Sequence, residues 1–145
     1  MCTSFKGELL VGHHNFGTGV VRAATTADTF KAALYLASAT INASTTAYTA
    51  TGEVSGTGYS AGGVTVTNAT APATSGTTAY WTPSASITFS SVTLSTAFDC
   101  VLIYNSTQSN KAVSVHTFGS QTVTAGTFTL TMPTNDSSTG LIRLA

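Results

Sequence analysis

Ions are what this sequence has least of. Lys, Arg, Asp and Glu together make up 7% of the chain, against roughly 25% in an ordinary soluble domain. The five cations (Lys6, Arg22, Lys31, Lys111, Arg143) are scattered. Nucleic-acid binding needs a clustered basic stripe, so that function is excluded. Long apolar runs are missing as well. No stretch approaches the ~18–20 residues of a membrane span, so no membrane partner is expected. The opening MCTSFKGELLVGHHNF breaks its short apolar patch with Glu8 and two histidines, unlike a secretory signal. The protein is therefore expected to be made and kept in a cytoplasm. Only two cysteines occur, Cys2 and Cys100, far apart, and nothing in their spacing supports a disulfide.

Chemical motifs are equally scarce. There is no Gly-Lys-Ser/Thr of a phosphate loop and no Gly-x-Ser-x-Gly elbow. The acidic residues Glu8, Asp28, Glu53, Asp99 and Asp136 lie far from one another, without the pairing that glycoside hydrolysis requires. His13 and His14 are adjacent, so on a strand they point to opposite faces, and with His116 they lack an acidic or thiol partner at ligand spacing. Cys100 sits inside the apolar run Phe98–Asn105, where a buried inert thiol is expected rather than a nucleophile served by His116. No enzyme, metal or cofactor is predicted. Asn-x-Ser/Thr triplets at Asn42, Asn68, Asn105 and Asn135 arise by chance in so hydroxyl-rich a chain.

What the chain has in abundance is threonine and serine, 30 and 17 of its 145 residues. Threonine is β-branched and suits the exposed face of a strand. A surface of hydroxyls in place of ions offers little repulsion between copies or towards neighbours. A lone soluble β-domain of unusual composition is the plainer alternative. Apolar residues, at 42%, suffice for one core in a chain of this length.

Periodicity predicts an all-β fold, two sheets packed face to face as a β-sandwich of seven to eight short strands, with at most one short helix. Residues 1–28, glycine-rich and with little core of their own, read as an N-terminal arm; residues 29–145 read as the sandwich domain. Phe30, Ala32, Leu34 and Leu36 alternate with Lys31, Ala33 and Tyr35 as in a strand. Lys6 to Phe16 forms one short strand or helix, and Thr45 to Thr51 a short helix ended by Gly52. The apolar phase slips at Ser90-Ser91, which predicts a bulge or a corner. Phe98–Asn105 reads as a buried central strand, Lys111–Phe118 as its hairpin return, and His116 as exposed or at an interface.

One glycine-dense stretch, EVSGTGYSAGG at 53–63, superficially resembles a phosphate loop. A phosphate loop needs a hydrophobic strand before it and a helix after it. Here a polar segment precedes and the strand from Val64 follows. Gly56, Gly58, Gly62 and Gly63 therefore read as a structural turn, with Tyr59 as a plug over the core.

Four phrases in order carry a resemblance: DTFKAALYLASATINASTTAYTATGEVSGTGYSAGG (28–63), VLIYNST (101–107), TVTAGTFTLTMP (122–133) and GLIRL (140–144). Together they resemble a family of small tailed-bacteriophage virion proteins. Residues 70–96 depart from that pattern, being longer and richer in Ser and Thr. The resemblance implies a particle component located in the virion and assembled in the host cytoplasm. Its lead form is a capsid decoration, or cement, protein that partners the major capsid protein and itself, as a homotrimer. The arm would then supply contacts to the shell or a sister subunit through Phe5, Leu9, Leu10, Val11 and Phe16. The alternative is a tail or neck component, or a short fibre touching the host, with Tyr80 and Trp81 as candidate surface aromatics for stacking on sugars.

Overall fold

The computed structural model describes residues 7, 9–12, 27–68 and 70–145. The chain is all-β, with seven strands in two antiparallel sheets of four and three strands, the class that the periodicity predicts. It divides into two compact units. One takes Asp28–Val66 and Ser86–Leu130; the other takes Met1–Ala27, Thr67–Ala85 and Thr131–Ala145. The first division falls between Ala27 and Asp28, and residues 29–145 are shared between the two units.

The larger unit holds β1 (Phe30–Leu36), β2 (Val64–Val66), β5 (Ile87–Asn105) and β6 (Lys111–Leu130), in the order β2-β1-β5-β6. β1 and the second half of β5 are buried on both faces, which is why FKAALYL and FDCVLIYN read as near-continuous apolar runs. On one face Ala33, Tyr35, Cys100, Leu102 and Tyr104 form a buried cluster, with Ile41, Tyr48, Ala112 and Val115 packed against it. On another, Phe89, Phe98, Phe118 and Phe128 interlock, with Phe98 and Phe128 edge to face at 5.0 Å.

The expectation of uniformly short strands is corrected here. The segments read as Phe98–Asn105 and Lys111–Phe118 are parts of two strands of 19 and 20 residues, because bulges absorb the slips of phase along them. The predicted irregularity at Ser90-Ser91 is present, between the pairs Phe89↔Phe128 and Val92↔Gly126, with Ser91 at φ 54°. The next irregularity lies on the opposite strand, where Ala125 at φ 43° donates its N–H to Thr93 Oγ1 at 3.0 Å. A pair of larger slips follows, first at 95–97 of β5 and then at 118–120 of β6. Extra residues on one strand are answered on the other, so the hairpin bends and still recovers its register. The turn between these strands is closed by Ser109 and Asn110, at φ 53° and 58°, and by Asn105 Oδ1 accepting the Thr107 and Gln108 N–H groups.

The smaller unit holds β3 (Ala73–Ser75), β4 (Thr78–Trp81) and β7 (Ile142–Leu144), in the order β3-β4-β7. Its buried side chains include Ala79, Trp81 and Thr82. The Thr82 hydroxyl, buried, accepts the Leu141 N–H at 2.9 Å and ties the last strand in. Gly7, Leu9 and Leu10 lie in a helical turn whose Gly7 carbonyl accepts the Val11 N–H at 3.1 Å. The helix expected over Thr45–Thr51 does not form. Asn42 and Thr49 instead bond their own neighbouring backbone, in the turn chemistry that makes such residues poor helix formers. Ala47 then bridges Lys111, and Gly52 turns the chain at φ 78°.

Candidate functional site

The glycine stretch 53–63 is the most elaborately held segment of the larger unit. Its construction begins at the outer edge of β1. Glu53 bridges Tyr35, Val54 N–H donates to Leu34 O at 3.0 Å, and Leu36 N–H donates to Gly52 O at 2.9 Å. The strand then resumes ten residues later, with Val64 opposite Ala32 and Val66 opposite Phe30. Residues 52–54 and 64–66 are thus two parts of one antiparallel strand, and residues 55–63 are an excursion from it opposite Ala33. An excursion whose ends stay close and whose own side chains pack it is an Ω-loop.

The loop crosses to β5, where Thr57 bridges Thr93 and accepts its N–H at 2.9 Å. This contact lies beyond the end of β1, so the loop covers part of β5 that β1 does not reach. Glycines flank it because the backbones meet. A Cβ at Gly56 would overlap the Thr93 carbonyl oxygen, and one at Gly58 that of Ser91. Gly63, at φ 69°, brings the chain back so tightly that a Cβ there would overlap the Ala32 carbonyl.

Side chains then lock the loop. Glu53 receives the Tyr48 hydroxyl at 2.6 Å, the Tyr59 hydroxyl at 2.8 Å and the Gly62 N–H at 2.8 Å. Tyr59 also accepts the Leu34 N–H at 3.0 Å. Tyr104 donates to Gly62 O at 2.8 Å and stacks on Tyr48 at 4.9 Å, and Tyr35 donates to Thr49 O at 2.6 Å. Four of the chain's five tyrosines therefore converge around one carboxylate.

All four phenols are held in the protonated form. Burial, then the bond to Glu53, raises Tyr59 far above its ordinary value; for Tyr48 the Glu53 bond is the larger cause and burial the second. Burial pushes Tyr35 up to about 12 and, with the Glu53 charge, raises Tyr104. Three donors, two hydroxyls and one backbone N–H, thus meet on the Glu53 carboxylate. The cluster is built to hold a loop.

A depression of about 300 Å³ lies beside the loop, lined by Val64, Phe89 and Val92 together with Ser60, Thr88 and Ser90. The lining supplies hydroxyls and backbone but no charged side chain.

The other sequence candidates fall as follows. Gly56, Gly58, Gly62 and Gly63 come together with Tyr59 in the loop just described. Trp81 is 8% exposed and donates its indole N–H to Thr70 O at 2.8 Å. The expectation of a surface aromatic is corrected for Trp81, which packs the smaller unit, while Tyr80 is half-buried beside Gly140. Leu9 and Leu10 are half-buried and Val11 is 48% exposed. Phe5, Phe16, His13 and His14 lie outside the described residues. His116 is half-buried, bonded to Ser114 Oγ at 3.0 Å, and burial lowers its pKa. Cys100 is a buried free thiol, raised by burial and then by the Asp99 charge. Asp136 caps its own turn, accepting the Ser138 and Thr139 N–H groups at 2.7 Å each. Among the described residues no group of His, Cys, Asp and Glu is placed to hold a metal ion, and no helix is long and apolar enough to cross a membrane.

Sequence reasoning missed the tyrosine–glutamate cluster, although one signal was present: Glu53 is the sole acidic or basic side chain between Lys31 and Asp99. An isolated ion in so neutral a segment must find donors when it is partly buried. Comparison of the chain with protein-family models, curated proteins and solved structures finds no match in any of the three.

Proposed function

We propose that the protein is a structural component of a tailed-bacteriophage particle, a decoration protein that binds the outside of the head and stabilises the shell. The observation that carries this reading is the surface of β6. Its exposed side chains are Thr117, Ser120, Gln121, Thr122, Thr124, Thr127 and Thr129 beside Val113, Ala125 and a single ion, Lys111. A wall of hydroxyls on β-branched side chains lies against a neighbour without the desolvation cost of ions. The ordered phrases that resemble phage virion proteins point the same way. Of the two aromatics suggested for stacking on sugars in the tail-component or fibre alternative, Trp81 is buried and Tyr80 half-buried.

Mechanically, each copy bridges adjacent subunits of the major capsid protein and opposes the pressure of packed DNA. Many weak contacts repeated over a lattice add up to a strong hold. Copy number per purified particle, by quantitative mass spectrometry, is the test. Hundreds of copies, together with heads that release DNA at lower temperature when the protein is absent, support the proposal. Tens of copies or fewer overturn it.

A further inference from the structure

We propose that Tyr48 and Tyr104 form an oxidative cross-linking site, where a one-electron oxidant joins the two rings into an intramolecular dityrosine. The starting observation is how the rings lie. They stack with centroids 4.9 Å apart and planes 25° from parallel. Their hydroxyls end at one place. Tyr48 donates to Glu53 Oε2 at 2.6 Å and Tyr104 donates to Gly62 O at 2.8 Å. The Gly62 N–H is in turn bonded to Glu53 Oε1 at 2.8 Å. Both rings therefore send their phenolic ends to the same point. The carbons ortho to the two hydroxyls, where phenols couple, lie at one end of the stack.

Stacked rings alone are ordinary core packing. The second observation is the carboxylate. A phenol that loses an electron becomes a strong acid, so its proton must leave with the electron. Glu53 stands at hydrogen-bond distance to take that proton from Tyr48. Tyr48 is half-buried, so an oxidant in solution can reach it, whereas Tyr104 is 3% exposed and is reached through the stack. The other tyrosines lack one part or the other. Tyr59 also donates to Glu53, but the ring stacked on it is Phe89, which has no hydroxyl. Tyr35 donates to the Thr49 carbonyl, which is no base, and Tyr80 belongs to the smaller unit.

The step balances as follows. Tyr48 gives one electron to the oxidant and its phenolic proton to Glu53, which passes it to solvent. Tyr104 gives one electron across the stack to a second equivalent of oxidant, and its proton to solvent. The two phenoxyl radicals then form one carbon–carbon bond between their ortho carbons. The hydrogen on each of those carbons moves to the phenolic oxygen and restores the ring. Two electrons and two protons leave in all, and two equivalents of oxidant are reduced. The product ties Tyr48 to β5 and encloses the loop of residues 55–63. Like a disulfide, it restricts the unfolded chain. This inference concerns the isolated protein and does not depend on the particle it belongs to.

The test is brief illumination of the dilute full chain with tris(bipyridyl)ruthenium(II) and persulfate, which generates a one-electron oxidant. Dityrosine fluorescence, gel mobility and mass spectrometry of proteolytic fragments read the outcome. The expected product is a fluorescent monomer, lighter by two hydrogens, with Tyr48 joined to Tyr104 and a higher urea midpoint than the parent. Tyr48→Phe and Tyr104→Phe should each lose it, Tyr80→Phe should keep it, and Glu53→Gln should form it more slowly. No monomeric product, a link between other tyrosines, or an undiminished yield in Tyr48→Phe or Glu53→Gln overturns the proposal. Should these variants fail to fold, the parent illuminated in concentrated urea decides. Loss of the Tyr48–Tyr104 link there supports the folded geometry as its cause; an equal yield overturns it.

Discussion

The Tyr59 hydroxyl takes the place of a strand carbonyl for Leu34. Opposite Leu34 the outer strand is about to leave the sheet, and the Leu34 N–H, in a residue with no exposure, is met at 3.0 Å by a side-chain oxygen from the loop that has left. The same oxygen donates to Glu53, so one hydroxyl both repairs the interrupted ladder and fastens the loop.

Removing that oxygen should be costly for its size. Tyr59→Phe keeps the ring stacked on Phe89 at 5.9 Å but leaves a buried N–H unpaired and Glu53 one donor short. An unsatisfied buried group costs about 1–3 kcal/mol. Urea denaturation should show a loss of that order, with the slope of the transition unchanged. A loss near zero would mean that water replaces the hydroxyl.

Gly58, Gly62 and Gly63 of the loop, and Gly76 in the turn between β3 and β4, should not respond alike to alanine. At Gly63 and Gly58 a new Cβ overlaps a backbone carbonyl and the residue also holds positive φ. Both substitutions should lose well over the ~1–2 kcal/mol of a left-handed residue alone, and Gly63→Ala should prevent folding. Gly62→Ala meets no backbone atom, its nearest neighbour being the Tyr104 hydroxyl at 3.1 Å, so its cost should lie closer to that of its φ of 85° than at Gly58 or Gly63. Gly76, at φ 56° with open space around it, is the reference for conformational strain without overlap. Thermal unfolding of the four variants gives the ranking.

Alkaline conditions should release the cluster cooperatively. A phenol whose folded pKa lies above its unfolded value of about 10 contributes stability that is complete below pH ~10. That contribution is lost as pH rises through the folded value, about 12 for Tyr35 and higher still for Tyr59 and Tyr48. Near-ultraviolet absorbance should therefore show Tyr35, Tyr48, Tyr59 and Tyr104 ionising together with unfolding in this range. Independent ionisation of Tyr59 at its ordinary value, with the fold intact, would contradict the geometry.

Trp81→Ala should act on stability rather than on recognition. The indole is buried and its N–H bonded to Thr70 O, so truncation costs about 3–5 kcal/mol. Denaturation followed by circular dichroism should register that loss. Trp81→Phe, which keeps most of the packing, should lose distinctly less.

Local pattern made a large part of this fold legible. Alternation located β1, the apolar run located the buried half of β5, and the slip of phase at Ser90-Ser91 marked a real bulge. The joining of short segments into two long strands was hidden, because the bulges between Phe89 and Cys100 restore on one strand what the other has displaced, and only paired strands reveal that. Gly56 to Gly63 were legible as a structural turn, since their neighbours lack the strand and helix of a phosphate site. Their place in an interrupted strand was not, because Val54 and Val64 adjoin only through β1. Trp81 and the cluster around Glu53 depend on contacts between residues distant in sequence, which composition and spacing do not encode.

The two sides of the larger sheet end unequally, in the three residues of β2 and the twenty of β6. The long side carries no Lys, Arg, Asp, Glu or Pro from Val113 to Leu130, while the short side is interrupted by the loop of residues 55–63. A charge introduced by mutation anywhere along that stretch of β6 would therefore stand with no opposite ion within the stretch to answer it.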